Sequence, residues 1–287
     1  MDVRVAEAEQ SSERSTVSGR LPDLVVIGAP KAGTTSLAQW LSQHPEVQMS
    51  ATKELEFFDR HYERGTDWYR SQLPPGGDGI VVGEATPTYL GHPLAPARAA
   101  ATIPDARYVA VLREPVSRAW SNYWFFCQLG VERRTWAAAL RAEHRGRGST
   151  DYLGRGRYAE QLARWDAAVG QEKLLVLLFD DLLADPVDVF ARVCRFAGLR
   201  DDVQPSSTRS VNPTSRPRSR HLQYALHASG TSRRTTAGRR LWAWNAHGGR
   251  PPALAPDRAA QLRESFCASN AALAERLGRP LPACWGP

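Results

Sequence analysis

The chain is poor in cysteine and in lysine. Its 287 residues include four cysteines, which lie far apart, form no CxxC pair and have no histidine grouping nearby. We therefore expect neither a zinc cage nor a disulfide framework, and a reducing, cytoplasmic setting is the default expectation. Only three of the 37 basic residues are lysines: Lys31, Lys53 and Lys173. A lysine inside a motif therefore raises the question of why arginine does not serve there.

Long hydrophobic runs are also missing. The longest unbroken aliphatic or aromatic run, residues 174–179, has six residues. A transmembrane helix needs ~18, so we expect no membrane span. Residues 1–22 alternate charges and serines without an apolar segment, so we expect a disordered tail there and no secretory signal. We expect residues 23–287 to form a single domain, because 42% apolar and 23% charged residues are ordinary for a globular chain.

Acidic residues are absent between Asp202 and Asp257. Nine arginines fall in that stretch: Arg209, Arg216, Arg218, Arg220, Arg233, Arg234, Arg239, Arg240 and Arg250. They exceed the net charge of +7 of the whole chain, so the remainder is close to neutral. A local basic patch indicates an anionic partner, although no known nucleic-acid-binding motif accompanies it. Within this stretch, residues 206–252 have weak periodicity, which predicts long loops around short helices.

Strand and helix patterns alternate along the rest of the chain. Short, continuous apolar runs predict buried strands at residues 24–28, 80–83, 108–112 and 174–179. Helical spacing predicts helices at 34–42, from Pro115 onward, at 186–196 and at 258–277. This alternation predicts an α/β fold of three layers, in which helices flank a central parallel sheet.

A glycine-bearing loop joins the first predicted strand to the first helix. Gly28 and Gly33 allow a tight turn, and the backbone amides that follow point at an anion on the helix N-terminus. The residues that form this expected anion site are Lys31, Ala32, Gly33, Thr34, Thr35 and Ser36. In the ATP-binding Walker pattern, the lysine follows the last glycine directly, whereas Lys31 precedes Gly33. The loop therefore predicts an anion site but disfavours ATP.

Two separated motifs resemble those of sulfotransferases that use 3′-phosphoadenosine-5′-phosphosulfate (PAPS). Pro-Lys-x-Gly-Thr-Thr at the end of the first strand is similar to their 5′-phosphosulfate loop. Arg113-Glu114-Pro115, followed by Arg118 and Ser121, is similar to their 3′-phosphate motif. Further similarity lies in residues 53–58, 67–69, 83–87 and 179–186. The resemblance as a whole covers about residues 23–200. The bacterial branch and the sulfotransferase domains acting on heparan sulfate are the most similar.

The resemblance implies roles for individual residues. Arg113 and Ser121 would bind the 3′-phosphate, for which a planar guanidinium is well suited. Lys31 would stabilise charge on the leaving phosphate oxygen, by analogy with phosphoryl transfer. Glu54 stands where the heparan-type enzymes have their base, and Lys53 would contact the sulfuryl group or hold Glu54 ionised. No metal is expected. Arg118 has a weaker case, since it could simply pair with Glu114 one helical turn away.

The arginine segment and two departures from the resemblance bear on the substrates. We expect Arg216, Arg218 and Arg220 to fold over the nucleotide phosphates as a lid. The heparan-type enzymes have a lysine where this chain has Ala85, and their disulfide-closed loop is not evident. Heparan itself is therefore not the expected acceptor. A glycan, a phenolic or glycosylated natural product and a lipid all remain open.

Two other classes of function compete with this interpretation. The first is a nucleotide kinase or NTPase of the same fold, and the second is a non-enzymatic protein that binds anions or nucleic acid through the arginine segment. Glu84 is the alternative base if Glu54 does not act. The sequence does not indicate the oligomeric state.

Overall fold

A sheet of parallel strands forms the centre of the computed structural model, which describes residues 19–147, 150–205, 214–231 and 235–286. Within those residues the sheet has five strands in the order β2-β3-β1-β4-β5. They are β1 (Leu24–Gly28), β2 (Val47–Met49), β3 (Val81–Ala85), β4 (Arg107–Leu112) and β5 (Leu174–Leu178). The central strand β1 is buried along its whole length, as expected for a parallel strand covered on both faces.

Helices flank the sheet. They are α1 (Thr34–Leu41), α2 (Gly65–Ser71), α3 (Ala95–Thr102), α4 (Pro115–Leu129), α5 (Trp136–His144), α6 (Tyr158–Val169), α7 (Phe179–Ala184), α8 (Pro186–Ala197), α9 (Arg220–Ala228), α10 (Thr236–Ala246), α11 (Pro256–Glu264) and α12 (Cys267–Leu277). Trp40 of α1 meets Phe190 of α8 edge to face, and Trp165 of α6 packs on Tyr108 of β4. The predicted α/β class, with a central parallel sheet between helices, is confirmed.

All four predicted strands are present, with ends shifted by at most two residues. The strand that the sequence does not predict, β2, is three residues long and pairs with β3 at the sheet edge. None of the described helices has the length and apolar character needed to cross a membrane.

The predicted helix over residues 258–277 is wrong as a single element. It is divided into α11 and α12 at Ser265 and Phe266. Phe266 is 1% exposed and packs in a small cluster with Val116 of α4, whereas Leu273 belongs to the main core. The break lets the two halves bury their apolar side chains in different places, which a straight helix would not allow.

The predicted tail over residues 1–22 extends too far at its C-terminal end. The backbone N–H of Arg20 donates to the carbonyl of Pro74 at 2.9 Å, and its side chain contacts Asp23 and the carbonyl of Ile80. Leu21 packs against the main core. These contacts fix residues 19–22 to the domain, although charged and polar residues precede them in the sequence.

Candidate functional site

The loop between β1 and α1 forms the floor of the site. Gly33 stands at the N-terminus of α1 with a φ of 90°, and a Cβ there would lie 3.1 Å from the Phe179 ring. Glycine alone adopts that conformation without strain. Gly33 supplies no side-chain cap to the helix. The predicted glycine-bearing turn between β1 and α1 is present, and a helix N-terminus of this kind offers backbone amides to an anion.

Lys31 lies within the loop and reaches into a cleft. Its Nζ is 4.2 Å from the centroid of the Phe125 ring on α4, a cation–π contact. Burial, together with the nearby guanidinium of Arg113, lowers the pKa of Lys31 to about 8, and the carboxylate of Glu54 acts in the opposite direction. A bound anion would offset the cost of burying this ammonium group.

Arg113 connects the second motif to the loop. It follows β4 directly, and its Nη1 donates to the Lys31 carbonyl at 3.1 Å. Its guanidinium lies over the Phe179 ring at 5.0 Å. The Tyr158 hydroxyl donates to the Arg113 carbonyl at 2.8 Å and holds the backbone in place. Burial lowers the pKa of Arg113, as for a cation held in a cleft.

Ser121 lies two turns into α4 and faces the same cleft. Its Oγ is 3.2 Å from the Oγ1 of Thr214, a residue that the sequence argument does not identify. Two hydroxyls and the guanidinium of Arg113 thus line one cleft. Thr214 follows residues 206–213, which include Arg209 and lie outside the described residues. No local pattern singles Thr214 out, since 93 positions separate it from Ser121.

The expected pairing of Arg118 with Glu114 is wrong. Glu114 caps α4 by accepting from the N–H groups of Val116 and Ser117, at 2.9 and 2.7 Å, and its carboxylate pairs with Arg263 at 3.6 Å. Arg118 is fully buried and donates instead to the Tyr152 carbonyl. The carboxylate of Glu114 is thus engaged by the helix cap and by Arg263, while Arg118 bonds to a different segment.

Lys53 and Glu54 reach the cleft from the segment that follows β2. Lys53 Nζ donates to the Thr35 Oγ1 at 3.4 Å, which joins this segment to α1. Glu54 lines the cleft, where its side chain keeps contact with solvent but loses part of its hydration to the surrounding protein. Partial burial and the neighbouring Glu56 raise the pKa of Glu54, while the ammonium groups of Lys53 and Lys31 lower it. The structure therefore brings the expected base close to the expected phosphate loop.

Unusual backbone conformations concentrate in the same cleft. Lys31, Glu54 and Glu56 have φ values of 70°, 55° and 51°, and they are the non-glycine residues with positive φ in the part of the chain that the structure describes. Residues other than glycine rarely adopt positive φ values, and backbone strain of this kind clusters at functional sites. All three residues line the cleft.

The cleft has a volume of about 1340 Å³ and collects most of the predicted residues. Those that line it are Lys31, Gly33, Thr34, Thr35, Ser36, Lys53, Glu54, Arg113 and Ser121. Ala32 is buried beneath the loop. Phe125 is a further lining residue that the sequence argument misses, although its position four residues after Ser121 puts it on the same helix face.

The three arginines expected to form a lid line a second pocket. Arg216, Arg218 and Arg220 border a space of about 590 Å³ whose other walls are aromatic. Arg220 donates to the Tyr123 hydroxyl and to the Arg134 carbonyl, and Arg218 lies 4.7 Å from a Trp244 ring. Two of these guanidinium groups thus have intramolecular partners. Closure over the phosphates stays a prediction; Arg233 and Arg234 lie outside the described residues.

Two aromatic residues belong to both spaces. Trp120 and Trp124 line the cleft and the second pocket, whereas Tyr123 lines only the second pocket and is buried in an apolar cluster against which both tryptophans pack. These three aromatic residues of α4 are therefore partly core and partly wall.

Glu84, the alternative base, is fully buried in β3 and lies outside both spaces. The hydroxyls of Tyr69 and Thr86 donate to its two carboxylate oxygens at 2.6 and 3.0 Å. Burial raises the pKa of Glu84 to about 7, against the effect of these hydrogen bonds. Its contacts are those of a satisfied core carboxyl group. Among the described residues, no group of three or more histidine, cysteine or acidic side chains could hold a metal ion.

The fold is that of an α/β protein with a glycine-bearing loop between its central strand and the helix that follows. The family model of the sulfotransferase domain matches residues 21–228, so the chain belongs to the sulfotransferase family.

Comparisons with individual proteins agree with the family match. The human heparan sulfate glucosamine 3-O-sulfotransferases 3B1 and 6 are each 34% identical to the chain over 187 residues, or 64% and 63% of its length. The chain spans only 47% and 53% of those proteins, about half their length. A solved sulfotransferase from Alicyclobacillus acidocaldarius is 26% identical, with a TM-score of 0.71, and the alignment covers 93% of this chain and 99% of that one.

Proposed function

We propose that the protein transfers the sulfuryl group of PAPS to a hydroxyl or amine of a glycan or natural-product acceptor. The observation that carries this proposal is the meeting in one cleft of the Lys31–Ser36 loop, the Arg113 and Ser121 pair, and Lys53 with Glu54. The first two groups suit the two anionic ends of a nucleotide that has phosphate on both its 5′ and 3′ positions. The third group, Lys53 with Glu54, suits the acceptor. The heparan sulfate enzymes among its relatives support sulfation of this kind.

The donor end of the cleft fits the phosphosulfate group. The amides at the start of α1 and the hydroxyls of Thr34 and Thr35 supply donors, and the buried ammonium of Lys31 supplies charge. Arg113, Ser121 and Thr214 take the 3′-phosphate, whose charge approaches two at neutral pH. That phosphate would satisfy the charge of a guanidinium whose described polar contact is a backbone carbonyl.

The transfer needs a base and a stabilised leaving group. Glu54 takes the proton of the acceptor as the acceptor atom forms its bond to sulfur. The bond between sulfur and the 5′-phosphate oxygen breaks, and its electron pair stays on that oxygen beside the Lys31 ammonium. Lys53, which lines the same cleft and is hydrogen-bonded to Thr35, orients the sulfuryl oxygens. Charge is thus stabilised where it grows during the reaction.

The test is turnover of PAPS with a panel of hydroxyl and amine acceptors. Mass spectrometry should detect a product that has gained a sulfuryl group, in an amount equal to the 3′-phosphoadenosine 5′-phosphate (PAP) released. Transfer of a phosphoryl group from ATP to the same panel, with no sulfated product, would support the kinase alternative instead.

A further inference from the structure

The wall of the cleft beside Lys31 is apolar. Phe125, whose ring the Lys31 ammonium contacts at 4.2 Å, begins a row of partly buried side chains that line the cleft. Phe126, Leu129 and Val131 continue it through the last turn of α4 and just beyond. The backbone N–H of Val131 donates to the Phe126 carbonyl at 2.9 Å and holds this row together. An acceptor that reaches the reacting centre along this wall meets rings and aliphatic chains.

A second part of the wall is also without charge. Residues 251–254, Pro-Pro-Ala-Leu, line the cleft. The indole N–H of Trp120 donates to the Pro252 carbonyl at 2.8 Å and fixes the segment against α4. Leu254 packs against the small cluster of Val116, Ala259 and Phe266, which anchors the segment further. Apolar surface that is held open in a cleft indicates a ligand with apolar surface of its own.

Most of the basic side chains that line the described part of the cleft already have a partner or a proposed role, so few could bind a polyanion. Six basic residues line it: Lys31, Lys53, Arg60, Arg113, Arg155 and Arg263. Arg60 pairs with Glu56 at 3.5 Å, and Arg263 pairs with Glu114 at 3.6 Å. The proposed donor uses Lys31, Lys53 and Arg113, so Arg155 is the remaining basic residue in the part of the lining that the structure describes. Among the described lining residues, a glycan that carries a charge on every sugar would meet one basic side chain, Arg155, that neither an acidic partner nor the donor uses, and the carboxylate of Glu54.

We propose that the acceptor is an uncharged molecule with a hydroxyl group on an apolar ring or chain, rather than a polyanionic glycan. This inference rests on the proposed function and narrows its acceptor. The apolar body lies along Phe125, Phe126, Leu129 and Val131, and the hydroxyl meets Glu54. Selection arises because a sulfated or carboxylated sugar would lose its hydration against this wall without gaining an ionic partner.

The test compares binding and turnover of two probes, 4-hexylphenol and a heparan sulfate oligosaccharide. Calorimetry on the PAP-loaded protein should show binding of the phenol, and turnover with PAPS should favour it over the oligosaccharide. Leu129→Arg should weaken phenol binding by about tenfold or more, because it puts a guanidinium on the apolar wall. PAP affinity should not change. The matched control is Leu241→Arg, at an exposed position of α10 outside the cleft, which should leave phenol binding unchanged.

The outcomes separate this inference from the proposed function. If PAP binds but the phenol does not, or if the oligosaccharide is preferred and its turnover falls steeply with salt, the apolar acceptor is wrong and sulfuryl transfer stands. Equal phenol affinity in wild type and Leu129→Arg also overturns the assignment of the wall. Failure of PAP to bind at all would overturn the proposed function, and the acceptor inference with it.

Discussion

Lys31 is the residue on which the chemistry depends. The loop holds it with positive φ, its ammonium lies against the Phe125 ring, and Arg113 is close enough to lower its pKa. Burial and the neighbouring Arg113 make the charged form costly, whereas the Phe125 ring attracts the ammonium group. A negative charge that develops on a leaving oxygen repays that cost, so the interaction is strongest in the transition state.

Replacing Lys31 by alanine should therefore remove turnover rather than binding. We expect Lys31→Ala to lower kcat by about 10²–10³, as for the loss of one preorganised charge-stabilising donor. PAP affinity should change by a few-fold at most, since the loop amides remain. Lys173→Ala is the control, because Lys173 donates to the Pro104 carbonyl far from the cleft. Steady-state kinetics and calorimetry decide: a kcat close to wild type for Lys31→Ala would remove this lysine from the mechanism.

The lowered pKa of Lys31 also predicts a pH dependence. A group with a pKa of about 8 loses its proton as the pH rises through that value, so kcat/KM for PAPS should decline above pH ~8. Lys31→Arg, which keeps the charge at all accessible pH values, should be less active but should show no such decline. Profiles of kcat/KM against pH for the two proteins test this. The same alkaline decline in both would assign it to another group.

Glu54 should act on the acceptor alone. We expect Glu54→Gln to abolish most turnover, by about 10²–10⁴, while PAP affinity stays nearly intact. The acid limb of the wild-type profile should lie above the ordinary glutamate value of 4.5, because burial and Glu56 raise the pKa of Glu54. Glu63→Gln, at an exposed position nearby, is the control. Wild-type kcat in Glu54→Gln would mean that another group accepts the proton.

Helix α4 is the element that assembles the site. It carries Ser121 toward the expected 3′-phosphate and Phe125 toward Lys31, and Glu114 fixes its start by capping two amides and pairing with Arg263 of α11. The position of the helix therefore depends on one nearly buried carboxylate. Loss of that carboxylate should affect the stability of the domain and the geometry of the cleft together.

Glu114→Ala should lower the free energy of unfolding by about 1–2 kcal/mol, which is typical of a lost N-cap. It should also weaken PAP binding, because the first turn of α4 positions Ser121. Thr235→Ala is the matched control, since Thr235 caps α10 by accepting from the Gly238 N–H at 2.9 Å, outside the cleft. It should lose stability without losing PAP affinity. Denaturant unfolding and calorimetry on both variants test this, and equal PAP affinities for Glu114→Ala and Thr235→Ala would contradict it.

The elements that the sequence predicts are those with local signals. The strands at residues 24–28 and 108–112 are continuous apolar runs, and Pro115 marks the start of α4. The three-residue strand β2 has too few residues to show a period. The break at Phe266 depends on contact with Val116, about 150 residues earlier, which a helical periodicity does not reveal.

At the scale of the whole molecule, the site also has residues that the sequence predicts and contacts that it does not. The loop, Arg113 and Ser121 follow from motifs at the ends of neighbouring strands, and the sheet order places β1 beside β4. The contacts of Thr214 with Ser121 and of Phe125 with Lys31 depend on how distant segments pack. Arg218 and Arg220 line a second pocket because α9 packs on α4, and composition alone carries no information on such packing.

The central claim is that one cleft holds a nucleotide with a 3′-phosphate. Isothermal titration calorimetry with PAP and with ADP, on wild type and on Arg113→Ala, tests it most directly. PAP should bind the wild-type protein more tightly than ADP does. Arg113→Ala should reduce PAP affinity by about 1.5–3 kcal/mol, the cost of a lost charge-assisted contact, and should remove most of the preference over ADP. Equal affinity of the wild-type protein for PAP and ADP would contradict the account.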